Sequence, residues 1–120
     1  MTQLLVIDSD IETHRLVEGL TPDIDDLIPV RAASAEEGLG LAIETQPDLI
    51  LLSAELPDSS DLAALPNLRG ATGETPIIVI AQHQSADQAV EAFREGACDY
   101  VRKPLDRYEL REAITRALAA

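Results

Sequence analysis

The sequence predicts an α/β domain in which helices cover both faces of a five-stranded parallel sheet. Five short apolar runs carry this prediction, at residues 4–7, 27–32, 49–52, 77–81 and 100–101, and helical patterns separate them. Branched residues that are apolar on both faces of a run are typical of strands buried between two layers of helices. The regular alternation of strand and helix indicates right-handed βαβ units, which place the strands parallel in one sheet.

The predicted strand order places the ends of the first and third strands side by side. Five βα units in a chain of this length favour the flavodoxin-like (βα)5 three-layer sandwich with order 2-1-3-4-5, whose switch point lies between strands 1 and 3. The loop after Ile7 then lies beside the loop after Leu52, and Lys103 reaches the same edge. Pro29 weakens the second strand and favours an edge position, because proline cannot donate to a ladder.

Capping residues mark the helix boundaries. Three polar pairs have the capping-box spacing, in which each side chain can satisfy a free backbone N–H of the other. They are Ser34 with Glu37, Ser85 with Gln88, and Asp106 with Glu109. Gly96 lies where a helix would end in a left-handed turn.

The fifth helix has the clearest pattern and the third helix has the poorest. The third is predicted over residues 62–68, where Pro66 interrupts it, and residues 69–75 then favour a loop. The fifth carries one apolar stripe at helical spacing, formed by Leu110, Ala113, Ile114, Ala117 and Leu118.

Composition excludes several classes of protein. A chain of 120 residues suits one domain over residues 1–120, and a helical pattern that continues to the last residues is compatible with excision from a longer multidomain protein. The 46% hydrophobic content excludes disorder despite a net charge of −13. This acidity disfavours binding to nucleic acids and to acidic membranes. The single cysteine, Cys98, and the lack of a signal-like or spanning segment favour a cytoplasmic protein.

Several segments, taken together, resemble the receiver domain of two-component response regulators. They are LLVIDSD at 4–10, PDLILL at 47–52, LP at 56–57, TPIIVIA at 75–81 and GACDYVRKP at 96–104. Five such segments in order, at the spacing of the family, cover essentially the whole chain. The resemblance implies phosphorelay signal transduction through protein–protein interaction.

The same resemblance implies that the phosphoacceptor site is degenerate. In this family an aspartate takes a phosphoryl group from a histidine kinase, assisted by a divalent cation and a lysine. By resemblance, Ser53 occupies the position of that aspartate, Ser9 that of an acid contacting the metal, and Ala81 that of a hydroxyl binding the phosphoryl group. Asp8 and Lys103 are retained. Because phosphoryl transfer depends on positioning and electrostatic stabilisation, we expect a pseudo-receiver without catalytic residues.

The retained acids predict little affinity for magnesium. This cation prefers octahedral oxygen ligands that include one or two carboxylates. With Ser9 and Ser53 in place of acids, we expect no cofactor and weak or no magnesium binding. If a cation binds, its expected ligands are Asp8, Asp10 and the backbone carbonyl of Glu55.

Several residues also have simpler structural interpretations. A nucleophilic Ser53 would need an activating base, and neither His14 nor His83 adjoins a serine motif. We expect His14 to be at the surface or partly packed, and His83 to lie near the edge of the site. Asp10 is a candidate cap of the first helix, and Lys103 a candidate salt-bridge partner of Asp8. Asp58 and Asp61 favour turns or a helix cap.

The face formed by the fourth helix, the fifth strand and the fifth helix is the predicted interaction surface, because it commonly mediates dimerisation or effector contact in receivers. We assign Tyr100, Arg102, Arg107 and Arg111 to this face, with Tyr100 half-buried. Mixed charges suit a self-complementary contact across a two-fold axis and equally a solvated face. The charged residues along this region are Arg94, Glu95, Asp99, Arg102, Asp106, Arg107, Glu109 and Arg111.

The favoured function is an atypical receiver that is not an enzyme and that signals, independently of phosphorylation, by binding a histidine kinase, another regulator, an attached output domain or a second copy. One alternative is an active receiver that uses a displaced carboxylate such as Asp58 with magnesium. The other is a small-molecule sensor or enzyme on the flavodoxin-like scaffold. The acidic loop at residues 8–10 disfavours it, since a Gly-rich phosphate loop is absent there.

Overall fold

A computed structural model describes residues 1–24, 26–59, 62–82 and 85–119. Its five parallel strands form one sheet in the order β2-β1-β3-β4-β5, which confirms the predicted fold class and strand order. The strands are β1 (Thr2–Ile7), β2 (Leu27–Ala32), β3 (Leu49–Ser53), β4 (Ile77–Ala81) and β5 (Asp99–Arg102). The helices are α1 (Ile11–Leu20), α2 (Ala35–Thr45), α3 (Ala64–Thr72), α4 (Ala86–Arg94) and α5 (Arg107–Ala119).

The sheet separates two apolar layers. Alternate strand residues such as Leu5, Ile50 and Leu52 pack on the side of α2, α3 and α4. Their neighbours, such as Leu4 and Leu51, pack on the side of α1 and α5. Both faces of the central strands are therefore buried, which is why their sequences are continuously apolar rather than alternating.

The strand register fixes the position of the polar residues. Ile7 at the end of β1 pairs with Leu52, and Ser53 at the end of β3 pairs with Ile80. The carboxyl ends of all strands therefore lie along one edge of the sheet, with the ends of β1 and β3 adjacent. Open α/β sheets bind their ligands at this kind of edge.

The second strand is an edge strand, as predicted. It pairs with β1 only, and Pro29 lies within it opposite Leu4. The absence of an N–H at Pro29 therefore costs no hydrogen bond in the interior of the sheet.

Local capping contacts begin the helices where the sequence predicts them. The side chains of Ser34, Ser85 and Asp106 each accept the backbone N–H three residues later, at 3.1, 3.0 and 2.8 Å. The second contact of the capping box at Ser34 differs from the prediction. The side chain of Glu37 accepts the backbone N–H of Ala33 instead of that of Ser34. Gly96 has the predicted left-handed conformation, with φ of 102°.

The third helix is longer than predicted. The prediction of a loop at residues 69–75 is wrong for residues 69–72, which belong to α3. α3 continues to Thr72 and ends at Gly73, whose φ is 68°. Pro66 lies in its first turn, where backbone N–H groups have no intrahelical acceptor, so proline is tolerated there. Among the described residues, no helix is both long and apolar enough to cross a membrane.

Two glycines of α2 provide a matched test of packing against the sheet. A Cβ on Gly38 would lie 2.5 Å from Cδ1 and 2.7 Å from Cγ1 of the buried Ile7, whereas Gly40 has open space around it. We expect Gly38→Ala to lower the free energy of unfolding by about 1–3 kcal/mol through overpacking. Gly40→Ala should raise it by about 0.4–1 kcal/mol. Urea denaturation measures both, and equal effects would contradict the packing of α2 on Ile7.

Candidate functional site

Asp8 is held at the end of β1 by three contacts. Its carboxylate is 1% exposed. One oxygen accepts the backbone N–H of Asp10 at 3.1 Å, and the other accepts the Thr13 hydroxyl at 2.7 Å. The Lys103 ammonium lies 2.7 Å from that second oxygen and is itself 11% exposed. The salt bridge predicted between Lys103 and Asp8 is therefore present.

Asp10 and Ser9 lie at the solvent side of the same loop. Asp10 caps α1 as predicted, with Oδ1 accepting the N–H of Glu12 at 3.0 Å. Its second oxygen is 3.8 Å from the Lys103 ammonium. Ser9 is exposed. The ammonium thus lies between the buried carboxylate and the exposed one.

His14 is buried, contrary to the expectation of a surface or partly packed residue. Its Nε2 lies 2.7 Å from the backbone carbonyl of Asp8. A carbonyl can only accept, so Nε2 carries the proton, and Nδ1 is buried without a partner among the described residues. The spacing of the buried residues of α1 could have revealed this, since Thr13 and His14 share a face with Val17 and Leu20.

Ser53 is buried at the end of β3 and makes a local turn. Its hydroxyl accepts the N–H of Glu55 and donates to the carbonyl of Glu55, both at 3.2 Å. The imidazole of His14 contacts the backbone carbonyl of Asp8, and His83 lies outside the described residues. Within the part of the chain that is described, no base activates the Ser53 hydroxyl.

The side chain of Glu55 joins two strand ends and was missed in the sequence, where only its carbonyl was considered. Its Oε1 accepts the backbone N–H of Gln82 at 2.8 Å. Gln82 directly follows Ala81, which ends β4 and is fully buried. The segment after β3 is therefore joined to the segment after β4 by a carboxylate.

Tyr100 joins β5 to α4. It is half-buried, as predicted, and its hydroxyl donates to the side-chain oxygen of Gln88 in the first turn of α4. Burial raises the pKa of the Tyr100 phenol, and the negative charge of Glu55 raises it further.

Asp58 caps a helix, in agreement with one of its two simpler interpretations. Its two oxygens accept the N–H groups of Ala35 and Glu36 at the start of α2, at 2.8 and 3.0 Å. These two N–H groups lower the pKa of the Asp58 carboxyl. Asp61 lies outside the described residues.

The residues assigned to the interaction face are only partly brought together. Arg102 is exposed on β5, and the Arg111 guanidinium lies 5.4 Å from the centre of the Tyr108 ring. Arg107 instead contacts the end of α1, at the Gly19 carbonyl, and the Asp23 carboxylate beyond it. Sequence reasoning missed the exposed apolar side chains of α4 and α5, which are Val90, Phe93 and Tyr108.

The residues at this edge do not fit a magnesium ion. Both oxygens of Asp8 are engaged within the chain, and the Glu55 carbonyl that was a possible ligand accepts the Ser53 hydroxyl. No cluster of three or more His, Cys, Asp or Glu residues suited to a metal occurs in the described ranges. Magnesium would need to displace the Lys103 ammonium from a buried carboxylate.

Comparison with known proteins places these features in a family. The sequence profile of the response regulator receiver domain matches residues 4–115. Over 100 residues the chain is 38% identical to the regulatory protein LuxO of Vibrio cholerae, covering 82% of this chain and 21% of LuxO. It is 36% identical over 87 residues to the regulatory protein AtoC of Escherichia coli, covering 72% of this chain and 19% of AtoC. The chain thus spans about a fifth of the length of these curated relatives.

Solved structures agree with this match. The receiver domain of NtrX from Brucella abortus superposes with a TM-score of 0.86 at 29% identity, covering 98% of both chains. A CheY-like receiver domain from Methanospirillum hungatei gives a TM-score of 0.90 at 23% identity, covering 99% of this chain and 94% of that one. The second likeness concerns the fold alone.

The contacts of Asp8 predict a strong dependence on Lys103. Lys103→Met would leave a buried carboxylate without its cation, which we expect to lower the free energy of unfolding by about 3–5 kcal/mol. The double variant Asp8→Asn with Lys103→Met removes both charges and should recover most of that loss. Urea denaturation of the four proteins of this cycle measures the coupling. Additive effects of the two changes would contradict a buried ion pair.

The contacts of Asp58 predict a pH-dependent contribution to stability. Because the pKa of Asp58 is lowered in the folded state, its carboxylate stabilises the fold above its unfolded pKa, and the contribution disappears as the pH falls through the folded value. Asp58→Asn should therefore be less stable than the parent at neutral pH, with a difference that shrinks in acid. Melting temperatures across this range test it, with Glu74→Gln as an exposed control. A difference independent of pH would refute the assignment.

Proposed function

This chain belongs to the response regulator receiver domain family of two-component signalling, and we propose that it signals through protein–protein contact without being phosphorylated. Domains of this family are signalling modules and are not enzymes in general. The relatives named above are about four times as long as this chain, which supports a single receiver domain that works in the cytoplasm as part of a larger regulator.

The observation that carries the proposal is the state of position 53. A phosphoacceptor needs a carboxylate, or a hydroxyl with a base beside it. Ser53 offers a buried hydroxyl that is engaged on both sides by the backbone of Glu55. It is therefore a turn-forming residue, and phosphorylation there would break the turn.

The surrounding charges support the same proposal. In phosphoryl transfer, cations must neutralise the charge that develops on the phosphoryl oxygens. Lys103 is engaged by Asp8 instead, and the donor set is unsuited to magnesium. Neither cation is then free to assist a phosphodonor.

The contacts of Asp58 weaken the alternative of a displaced acceptor. Both of its oxygens accept N–H groups of α2, so an acyl phosphate on Asp58 would give up at least one helix-capping contact. The alternative of a small-molecule enzyme gains no support from the family match, which concerns a signalling module.

The proposed contact surface is the face formed by α4, β5 and α5. It combines the exposed apolar side chains Val90, Phe93 and Tyr108 with the exposed residue Arg102 and the half-buried Arg111. Aromatic and arginine side chains of this kind are enriched in protein–protein interfaces. A histidine kinase, another regulator, an attached output domain or a second copy would bind there.

Intact mass spectrometry after incubation with acetyl phosphate and magnesium tests the proposal. We expect the mass to stay unchanged beside a normal receiver that gains a phosphoryl group under the same conditions. The double variant Ser9→Asp with Ser53→Asp restores the missing carboxylates and should bind magnesium more tightly than the parent in a calorimetric titration.

A parent chain that gains one phosphoryl group would overturn the proposal. Treatment with mild base then assigns the acceptor, because an acyl phosphate is lost and a phosphoserine largely remains. Loss of the adduct in base, and in the variant Asp58→Asn, would establish the displaced acceptor instead.

A further inference from the structure

The carboxylate of Glu55 lies between two strand ends that the family resemblance connects through phosphate. In a typical receiver, the group on the acceptor at the end of β3 is bound by a hydroxyl at the end of β4. Here those positions are Ser53, which lacks the acceptor carboxylate, and Ala81, which lacks the hydroxyl. Glu55 follows Ser53 by two residues, and Gln82 directly follows Ala81. The Oε1 atom of Glu55 accepts the backbone N–H of Gln82 at 2.8 Å.

Ser53 helps to orient Glu55 for this contact. Its hydroxyl holds both the N–H and the carbonyl of Glu55, which fixes the backbone from which the carboxylate extends. A carboxylate that accepts a backbone N–H makes a charge-assisted hydrogen bond, about twice as strong as a neutral one. The contact is therefore able to hold the two strand ends in one relative position.

The contact of Glu55 is also connected to the predicted interaction face. Gln82 directly follows Ala81, which pairs with Arg102 of β5, and the Tyr100 hydroxyl of β5 donates to Gln88 in α4. The contact between Glu55 and Gln82 is thus linked to α4 through β5 and the Tyr100 hydroxyl.

We propose that the Glu55 carboxylate is a built-in anion that replaces the phosphoryl group and holds the face of α4 and β5 in one arrangement. Glu55 is then a positioning residue for partner binding. This inference rests on the proposed function, because a chain that accepted phosphate would have no need of an internal substitute. The Lys103 ammonium takes no part in it, since the described partners of that ammonium are Asp8 and Asp10.

Amide hydrogen exchange measured by NMR on the whole chain tests the inference. We expect Glu55→Ala to accelerate exchange about tenfold at Gln82 and in α4, because the contact that orders both is lost. Glu55→Gln keeps an oxygen acceptor without the charge and should show a smaller acceleration at the same amides. Ser53→Ala should change the same amides in the same direction. Glu44→Ala, at an exposed glutamate of α2, is the matched control and should leave them unchanged.

Two results would overturn the inference. One is unchanged exchange in α4 in both Glu55 variants, whether or not Gln82 responds, because the contact would then not govern the face. The other is an equal acceleration in Glu55→Gln and Glu55→Ala, because the charge would then be irrelevant. Either result with an unphosphorylated parent chain leaves the proposed function standing, whereas a phosphoryl group gained by the parent overturns the proposed function itself.

Discussion

The buried ion pair between Asp8 and Lys103 is the constraint on which the arrangement of the site depends. A carboxylate removed from water is costly unless a cation and hydrogen bonds compensate it, and here an ammonium, a hydroxyl and a backbone N–H do so. Because β3 and β4 lie between β1 and β5, the Lys103 side chain crosses the carboxyl edge of the sheet to reach Asp8. The loops after β1 and β5 cannot move apart without separating these charges.

Other contacts extend this constraint along the edge. Glu55 joins the segments that follow β3 and β4, while Asp58 holds the same segment to the start of α2. The Tyr100 hydroxyl joins β5 to α4. In a receiver that switches, segments of this kind must rearrange when a ligand arrives, and a ligand can shift an equilibrium only by its differential affinity for the two states. Under the proposed function, side chains of this chain provide the contacts that a ligand would otherwise supply.

Local patterns in the sequence predicted most of the fold but little of this network. The apolar runs of β3 and β4 and the caps at Ser34 and Ser85 depend on neighbours in sequence, so they could be read directly. The contacts of Asp58 with Ala35 and of Glu55 with Gln82 join residues 23 and 27 positions apart, and no local period reveals them. The extent of α3 was predicted wrongly for another reason. A proline interrupts a helix only beyond the first turn, and Pro66 lies within the first turn of α3.

Pro29 has a consequence for how copies of this domain can associate. An open edge of a sheet presents unpaired N–H and C=O groups, and it invites another strand to add to it. Proline removes a donor from the exposed edge of β2, and a strand that approached there would find an incomplete ladder. Growth of the sheet by strand addition is thereby disfavoured on that side.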